Sequence, residues 1–572
     1  MANTAGAKPT PSRKAVSNFS GPGMNRAGRK PVSVLLLLLI LSAGGWNSCT
    51  GKDQVSPEVG FPGIYLTHLQ LESTTLVATE LVNGLDVPWD ITYGPDGWIW
   101  INEQRGTVSR VNTETGEHQV LLEIPDVHFE RSRGLLSKAI HPDFDEHPYL
   151  FLHYVYSDEE GSHSRIVRYT FEQDTLVDRT MILDSLAGNN GHNGSRMIIG
   201  TDGKLWFGIG DAQNYDQAQN PETYHGKVLR MNLDGSVPGD NPFGNRVWST
   251  GHRNIQGITS GHGRIYISEH GPDNDDEVNL ILKGRNYGWP DVQGYCDSEV
   301  ERNYCRDSLI VEPMQAFTPV IAPAGINFYN HNAIPEWKNS LLLTSLRIQT
   351  LRVLHLNESG DEINDIGIYF QQYFGRLRDL AIGPDGTVYL AASNTDWYKD
   401  ARPEIHNPSL VEHGDRIIML GPETEHLRER FAENENKTVL AENKVARYLG
   451  DTEISDDMAA SEQLYLSHCA SCHRPDGSGL DEYVPGLTDS EIAAGDSRHL
   501  IEVVLNGVTP ENRETAGEYD WDMPAFRNLD DEEISALLTY IRSTFTDQTD
   551  QFSVEQVREV RSETSEYSTE ID

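Results

Sequence analysis

Pro95-Asp96-Gly97-Trp98-Ile99-Trp100-Ile101-Asn102 reads as a tight turn running straight into a strand. Asp and Gly favour the turn, and the aromatic and aliphatic residues after it suit a pleated, half-buried surface. A partner strand is expected at 107–112. The unit then recurs. Thr201-Asp202-Gly203 leads into an apolar run at 205–209, and Pro384-Asp385-Gly386 into one at 388–392. Similar runs stand at 149–156, 265–269 and 341–345, and the remaining partners at 165–170, 227–232, 277–282, 351–356 and 415–420. Six pairs at intervals of roughly 45–80 residues, with no long amphipathic helix between them, predict an all-β six-bladed propeller. A β-sandwich would bring its strands closer together, with fewer long loops.

Working outward, the propeller is expected to span 74–421. A charged stretch at 422–455 reads as a linker. A small all-α unit follows at 456–546. Its last helix is the clearest, with Asp530 and Glu533 as a capping box and Ile534, Leu537, Leu538 and Ile541 on one face. The acidic, polar residues 547–572 are expected to be disordered.

The chain has 572 residues, and 46 basic against 87 acidic side chains give a net charge of −41. Such a balance disfavours nucleic acid and suits a highly soluble surface. Near the N-terminus Arg26, Arg29 and Lys30 precede an apolar run at 32–41 and small residues at 42–45. The run is too short to span a bilayer and reads as an export signal over residues 1–48, with 49–73 as a linker. Cys49 after Ser48 resembles a bacterial lipoprotein cleavage site, although Trp46 stands where Leu is usual. The expectation is a periplasmic or exported protein, lipid-anchored to the outer membrane through Cys49, with simple secretion of a soluble protein as the alternative. Cys296 and Cys305 lie close together in a polar segment and are expected to pair in an oxidising compartment, two free thiols being the alternative.

Cys469-Ala470-Ser471-Cys472-His473 offers two thiols and an imidazole at the spacing of c-type haem attachment. A structural zinc site would want two more ligands, and only His468 and His499 are at hand. Met523 is the one Met between this motif and the C-terminus, so His473 and Met523 are the expected iron ligands. The order of elements resembles class I cytochrome c domains. His/Met ligation suits electron transfer.

A haem domain needs an electron source. Gln104, Asp211, His270 and Arg347 follow predicted propeller strands and gather at one rim. The motifs there resemble the quinoprotein sugar dehydrogenases of the soluble glucose and aldose dehydrogenase family. They are Gly191-His192-Asn193-Gly194, Gly208-Ile209-Gly210-Asp211, Gly251-His252-Arg253-Asn254-Ile255-Gln256-Gly257, Glu269-His270-Gly271-Pro272, Asp276-Glu277-Val278-Asn279, Asn286-Tyr287-Gly288-Trp289-Pro290, Ser345-Leu346-Arg347 and Arg376-Leu377-Arg378-Asp379. The resemblance covers nearly the whole propeller and implies six blades as well.

The resemblance implies pyrroloquinoline quinone (PQQ) as cofactor. Arg253, Arg347, Arg376 and Arg378 would meet its carboxylates and quinone oxygens, with polar contacts from Gln104, Asn254 and Gln256. It also implies Ca²⁺, held on the quinone by the carbonyls of Gly271 and Pro272. A further Ca²⁺ would use Glu277 and the Tyr287 carbonyl. His192 is the expected base and Asp211 its orienting partner. Where many members place a stacking Trp, this chain has Phe317-Thr318-Pro319, and Phe317 is expected to stack instead.

The expected activity is oxidation of an aldose or related alcohol by hydride transfer to PQQ. Electrons would then pass singly to the haem and on to an external cytochrome or copper protein. The alternatives are a protein-binding propeller and a Ca²⁺-dependent propeller hydrolase.

Overall fold

The computed structural model describes residues 64–424, except 273 and 397–413, and 461–564, except 463, 466–467, 475–476, 480–483, 489, 509–522, 524 and 528. The export signal, Cys49 and nearly all of the charged linker lie outside the described residues. Among those described, no helix is long and apolar enough to cross a membrane.

Six antiparallel sheets stand in a ring. Blade one runs Pro88–Tyr93, Trp98–Glu103, Thr107–Asn112, His118–Glu123, from the inner strand outward. Blades two to five repeat this order, with inner strands Leu135–Ile140, Gly194–Ile199, Ile255–Gly261 and Pro323–Tyr329. Blade six begins with Leu377–Ile382 and is completed from the other end of the chain. Thr75–Leu85 pairs antiparallel with Asp415–Pro422, and Ile64–Gln70 adds a fifth strand. Joining both ends of the propeller in one sheet closes the ring without an open edge.

The turns explain the repeats. Gly97 and Gly203 have φ of 80° and 69°, which only glycine adopts at low cost. Beside them, Asp96 accepts from Trp100 Nε1 at 3.0 Å and from Arg110 at 2.8 Å. Asp202 accepts from Trp206 Nε1 at 3.1 Å and from Arg230 at 2.8 Å. One carboxylate therefore ties the turn, the strand after it and the next strand in both blades.

The strands expected from the sequence are the second and third of each blade. Their neighbours on the inside were not foreseen, because the channel wall is polar. Lys138, Asp90, Arg196 and Asp379 come from four inner strands and meet in the channel. Lys138 donates to Asp90, and Arg196 Nε lies 3.9 Å from Asp379. Buried charges survive only when paired in this way.

In the C-terminal unit, helices run Ser497–Asn506 and Asp531–Phe545. Asp530 and Glu533 form the expected capping box, at 2.7 and 2.8 Å. The expected disorder after 546 is corrected by a further helix, Val554–Thr564. Val557, Val560 and Phe552 are buried, and Arg561 donates to the carbonyls of Arg527 and Leu529. Three apolar anchors suffice to dock this acidic stretch, so average composition misled.

One apolar cluster spans both units. Phe317, Leu341 and Leu354 of blades four and five share it with Tyr465, Cys469, Ala470 and Leu538.

Candidate functional site

His192 lies between blades two and three at φ 55°. Gly194 and Gly210 let its loop touch the loop before Asp211, since a Cβ on either would strike the opposing backbone. Ala212 N donates to the His192 carbonyl at 2.9 Å. The two loops thereby bring His192 Nδ1 to 2.8 Å from Asp211 Oδ1. Asp211 is fully buried, and its carboxylate also accepts from Gln213 N at 2.7 Å and Trp289 Nε1 at 2.8 Å. A carboxylate so used makes Nδ1 the donor, which leaves the Nε2 lone pair of His192 outward. Tyr215 and Trp289, whose rings meet edge-on at 5.3 Å, wall this side.

Arg253 stacks over Trp289 at 5.2 Å and donates to the His270 carbonyl at 2.9 Å. Asn254 Oδ1 accepts from Gly194 N at 3.0 Å and Gln256 Nε2 at 3.1 Å. Burial, reinforced by the charges of Arg253, Arg378 and His192, holds His270 down at about 3. His192, Asp211, Arg253, Asn254, Gln256 and Arg378 therefore gather around one spot.

The other expected residues sit differently. Gln104 donates to the carbonyls of Arg131 at 2.6 Å and Arg133 at 2.9 Å, so it shapes the loop that touches Asn193. Its Oε1 is buried with no partner among the described residues. Arg376 and Arg378 converge on Asp396 at 2.8 and 2.7 Å. Arg347 is half-buried, its N–H bonded to the Ile321 carbonyl, and Arg376 donates to the carbonyl of the preceding Leu346 at 3.1 Å. Phe317 does not take over stacking at the rim. It is fully buried in the shared apolar cluster and does not line the rim pocket. Sequence reasoning missed Asp396 and the Trp289–Asp211 bond. The need of two buried arginines for a counter-charge was the available signal.

Beside Arg253 a pocket is lined by Gly271, Pro272, Asp275, Glu269, Glu277 and Tyr287. Asn279 Nδ2 bridges Glu277 at 2.7 Å and Glu269 at 2.9 Å. Burial and the Glu269 charge push the Glu277 carboxyl well up. Among the described residues no three His, Cys, Asp or Glu side chains form a metal cluster. The expected set relies instead on carbonyls.

In the C-terminal unit Cys469 opens a helical turn, Ala470–His473, and His473 N bonds the Cys469 carbonyl at 2.9 Å. His473 Nδ1 lies 2.9 Å from the Pro485 carbonyl, so Nδ1 carries the proton and Nε2 is the lone pair. Burial pushes this imidazole below its ordinary value, as an iron ligand requires. Met523 is half-buried, exchanges backbone bonds with Val508 at 2.8 and 2.9 Å, and packs on the cluster holding Cys469. These residues fit a c-type haem. Cys296 and Cys305 form the expected disulfide.

A family model described as glucose/sorbosone dehydrogenase matches residues 85–398, and one described as cytochrome c matches 458–545. Quinoprotein glucose dehydrogenase B of Acinetobacter calcoaceticus is 30% identical over 404 residues, covering 55% of this chain and 84% of that protein. Aldose sugar dehydrogenase YliI of Escherichia coli is 29% identical over 337 residues, covering 55% and 90%. The PQQ-bound structure of an aldose sugar dehydrogenase from Streptomyces coelicolor aligns with TM-score 0.52 at 28% identity, over 60% of this chain and 96% of that one. The chain belongs to the glucose/sorbosone dehydrogenase family and adds a cytochrome c domain, which supports an oxidoreductase with haem c.

Proposed function

We propose that this protein is an exported PQQ- and Ca²⁺-dependent dehydrogenase that oxidises an aldose or related alcohol and delivers the electrons through its own haem. The single observation that carries the reading is the His192–Asp211 pair, 2.8 Å apart, beside Arg253. Oxidising a hydroxyl requires a base for its proton. His192 presents Nε2 for that, and Asp211 both fixes the tautomer and stabilises the imidazolium. Bound PQQ would supply the two-electron acceptor and Ca²⁺ its polarisation. Arg253, Arg376, Arg378 and Arg347 would hold the cofactor's carboxylates and oxygens, with Gln104, Asn254 and Gln256 as polar contacts. Asp396 keeps Arg376 and Arg378 extended. Gly271, Pro272, Glu277 and Tyr287 would hold the cations. Tyr215 and Trp289 shield the base from water.

Cys469 and Cys472 would carry the haem, with His473 and Met523 on its iron, and an external cytochrome or copper protein would take the electrons. The disulfide supports export, since such bonds persist in oxidising compartments. Anchorage through a lipidated Cys49 belongs to the same proposal, and the mass of the mature N-terminus tests it.

The test of the function is calorimetry with PQQ in the presence of Ca²⁺, followed by an aldose screen with and without an electron acceptor. Uptake of PQQ and acceptor-dependent oxidation are expected. No uptake would favour a binding propeller, and acceptor-independent turnover a hydrolase.

A further inference from the structure

Arg352 lies in the third strand of blade five, Leu351–Leu356, with no exposure to solvent. Its Nε and both terminal nitrogens are buried without a hydrogen-bond partner among the described residues. The guanidinium stacks on Phe317 at 5.1 Å. A fully buried cation with no counter-ion is costly, so proteins rarely keep one without use. Phe317 in turn shares one apolar cluster with Cys469 and Ala470 of the haem motif, so the guanidinium lies against the seat of that motif. Burial lowers Arg352 to about 9, so it stays charged at neutral pH.

Independent contacts seat the haem motif on this part of the propeller. Arg474 donates to Gln372 Oε1 at 3.4 Å. Cys469 and Ala470 share the apolar cluster with Phe317 and Leu354. Cys469 would be bonded to the haem edge, so a charge stacked on Phe317 lies beside the haem seat.

We propose that Arg352 is a propeller residue of the haem site, whose fixed positive charge favours the ferrous over the ferric state. One-electron reduction lowers the net charge of the iron centre by one. A nearby buried cation repels the ferric state more than the ferrous, and the low-dielectric surroundings leave that difference weakly screened. Arg352 thereby makes the haem a better acceptor for electrons arriving from the propeller. It acts through the field and touches no substrate, so it is a positioning residue. The inference rests on a haem c at Cys469 and Cys472, and it is independent of the propeller's cofactor and substrate.

The test is a spectroelectrochemical titration of the haem in the full-length holoprotein and in Arg352→Gln and Arg352→Lys. Arg352→Gln should shift the ferric/ferrous equilibrium by about tenfold towards ferric, a fall of about 59 mV for one electron. Arg352→Lys, which keeps the charge, should stay within about twofold of wild type and shows that folding and packing are not the cause. An unchanged potential in Arg352→Gln with a normal haem spectrum would overturn the role of Arg352 alone. A fall of equal size in Arg352→Lys would also overturn it. A wild type without a covalent haem spectrum would instead overturn the haem reading.

Discussion

The rim of the propeller and the haem region handle buried charge in opposite ways. At the rim, Asp211 serves three donors, and Arg376 and Arg378 share Asp396. Asp211, Arg376 and Arg378 thus already have partners within the protein. Around the haem motif, Arg352 finds no hydrogen-bond partner among the described residues, and His473 commits its Nδ1 to the Pro485 carbonyl. The first region is organised before any ligand arrives. The second is organised for a group bonded to it permanently. A site that must release a product gains from internal wiring, because its geometry survives each turnover. A covalent cofactor can be counted on to complete the structure.

If the rim is pre-wired for chemistry, its base carries the largest effect. His192→Ala should lower the rate of aldose oxidation by about 10²–10⁴-fold. PQQ affinity should be nearly unchanged, which steady-state kinetics and calorimetry check together.

Removing the counter-charge of the two arginines comes next. Asp396→Asn should cost about 3–5 kcal/mol in urea unfolding, because two buried cations lose their carboxylate. Added PQQ should restore part of that loss, since a ligand bound only by the folded state stabilises it.

Trp289→Phe takes one donor from Asp211 while leaving the ring. The rate constant should drop by about tenfold with little change in KM, as expected where the base is misoriented.

The smallest effect concerns the seam between the two units. Glu462 is pushed up to about 7 by burial and then by Asp365 of blade five. A carboxyl raised from its ordinary value of 4.5 contributes stability that is complete below that pH and lost as pH climbs through 7. Melting of the haem unit, followed in the Soret band, should therefore occur a few degrees lower at pH 8 than at pH 5. Glu462→Gln should remove that difference.

How much of this was legible in the sequence follows from where each residue points. Strands such as Leu205–Ile209 are buried on both faces and announce themselves as apolar runs. The inner strands carry Asp90, Lys138, Arg196 and Asp379 into the channel and so read as loops. His192 and Asp211 were legible because their loops need glycine to touch, which leaves a pattern in the chain. Asp396 left no such pattern, since its role exists only once blade six folds back beside Arg376. Arg352 sits between Leu351 and Val353 and looks like an outward-facing residue of an ordinary strand. Only the docking of the haem motif shows that its face is covered. The helix at Val554–Thr564 was hidden for the same reason, as its few apolar residues count only where Asp531–Phe545 offers a surface.

The central claim is that the propeller oxidises a sugar and the fused haem receives the electrons. Rapid mixing of an aldose with the PQQ- and Ca²⁺-loaded holoprotein, without external acceptor, tests it while the haem spectrum is followed. Haem reduction that needs both the aldose and PQQ, and that is lost in His192→Ala, is expected. A haem that stays oxidised while the aldose is consumed through an added dye would contradict it.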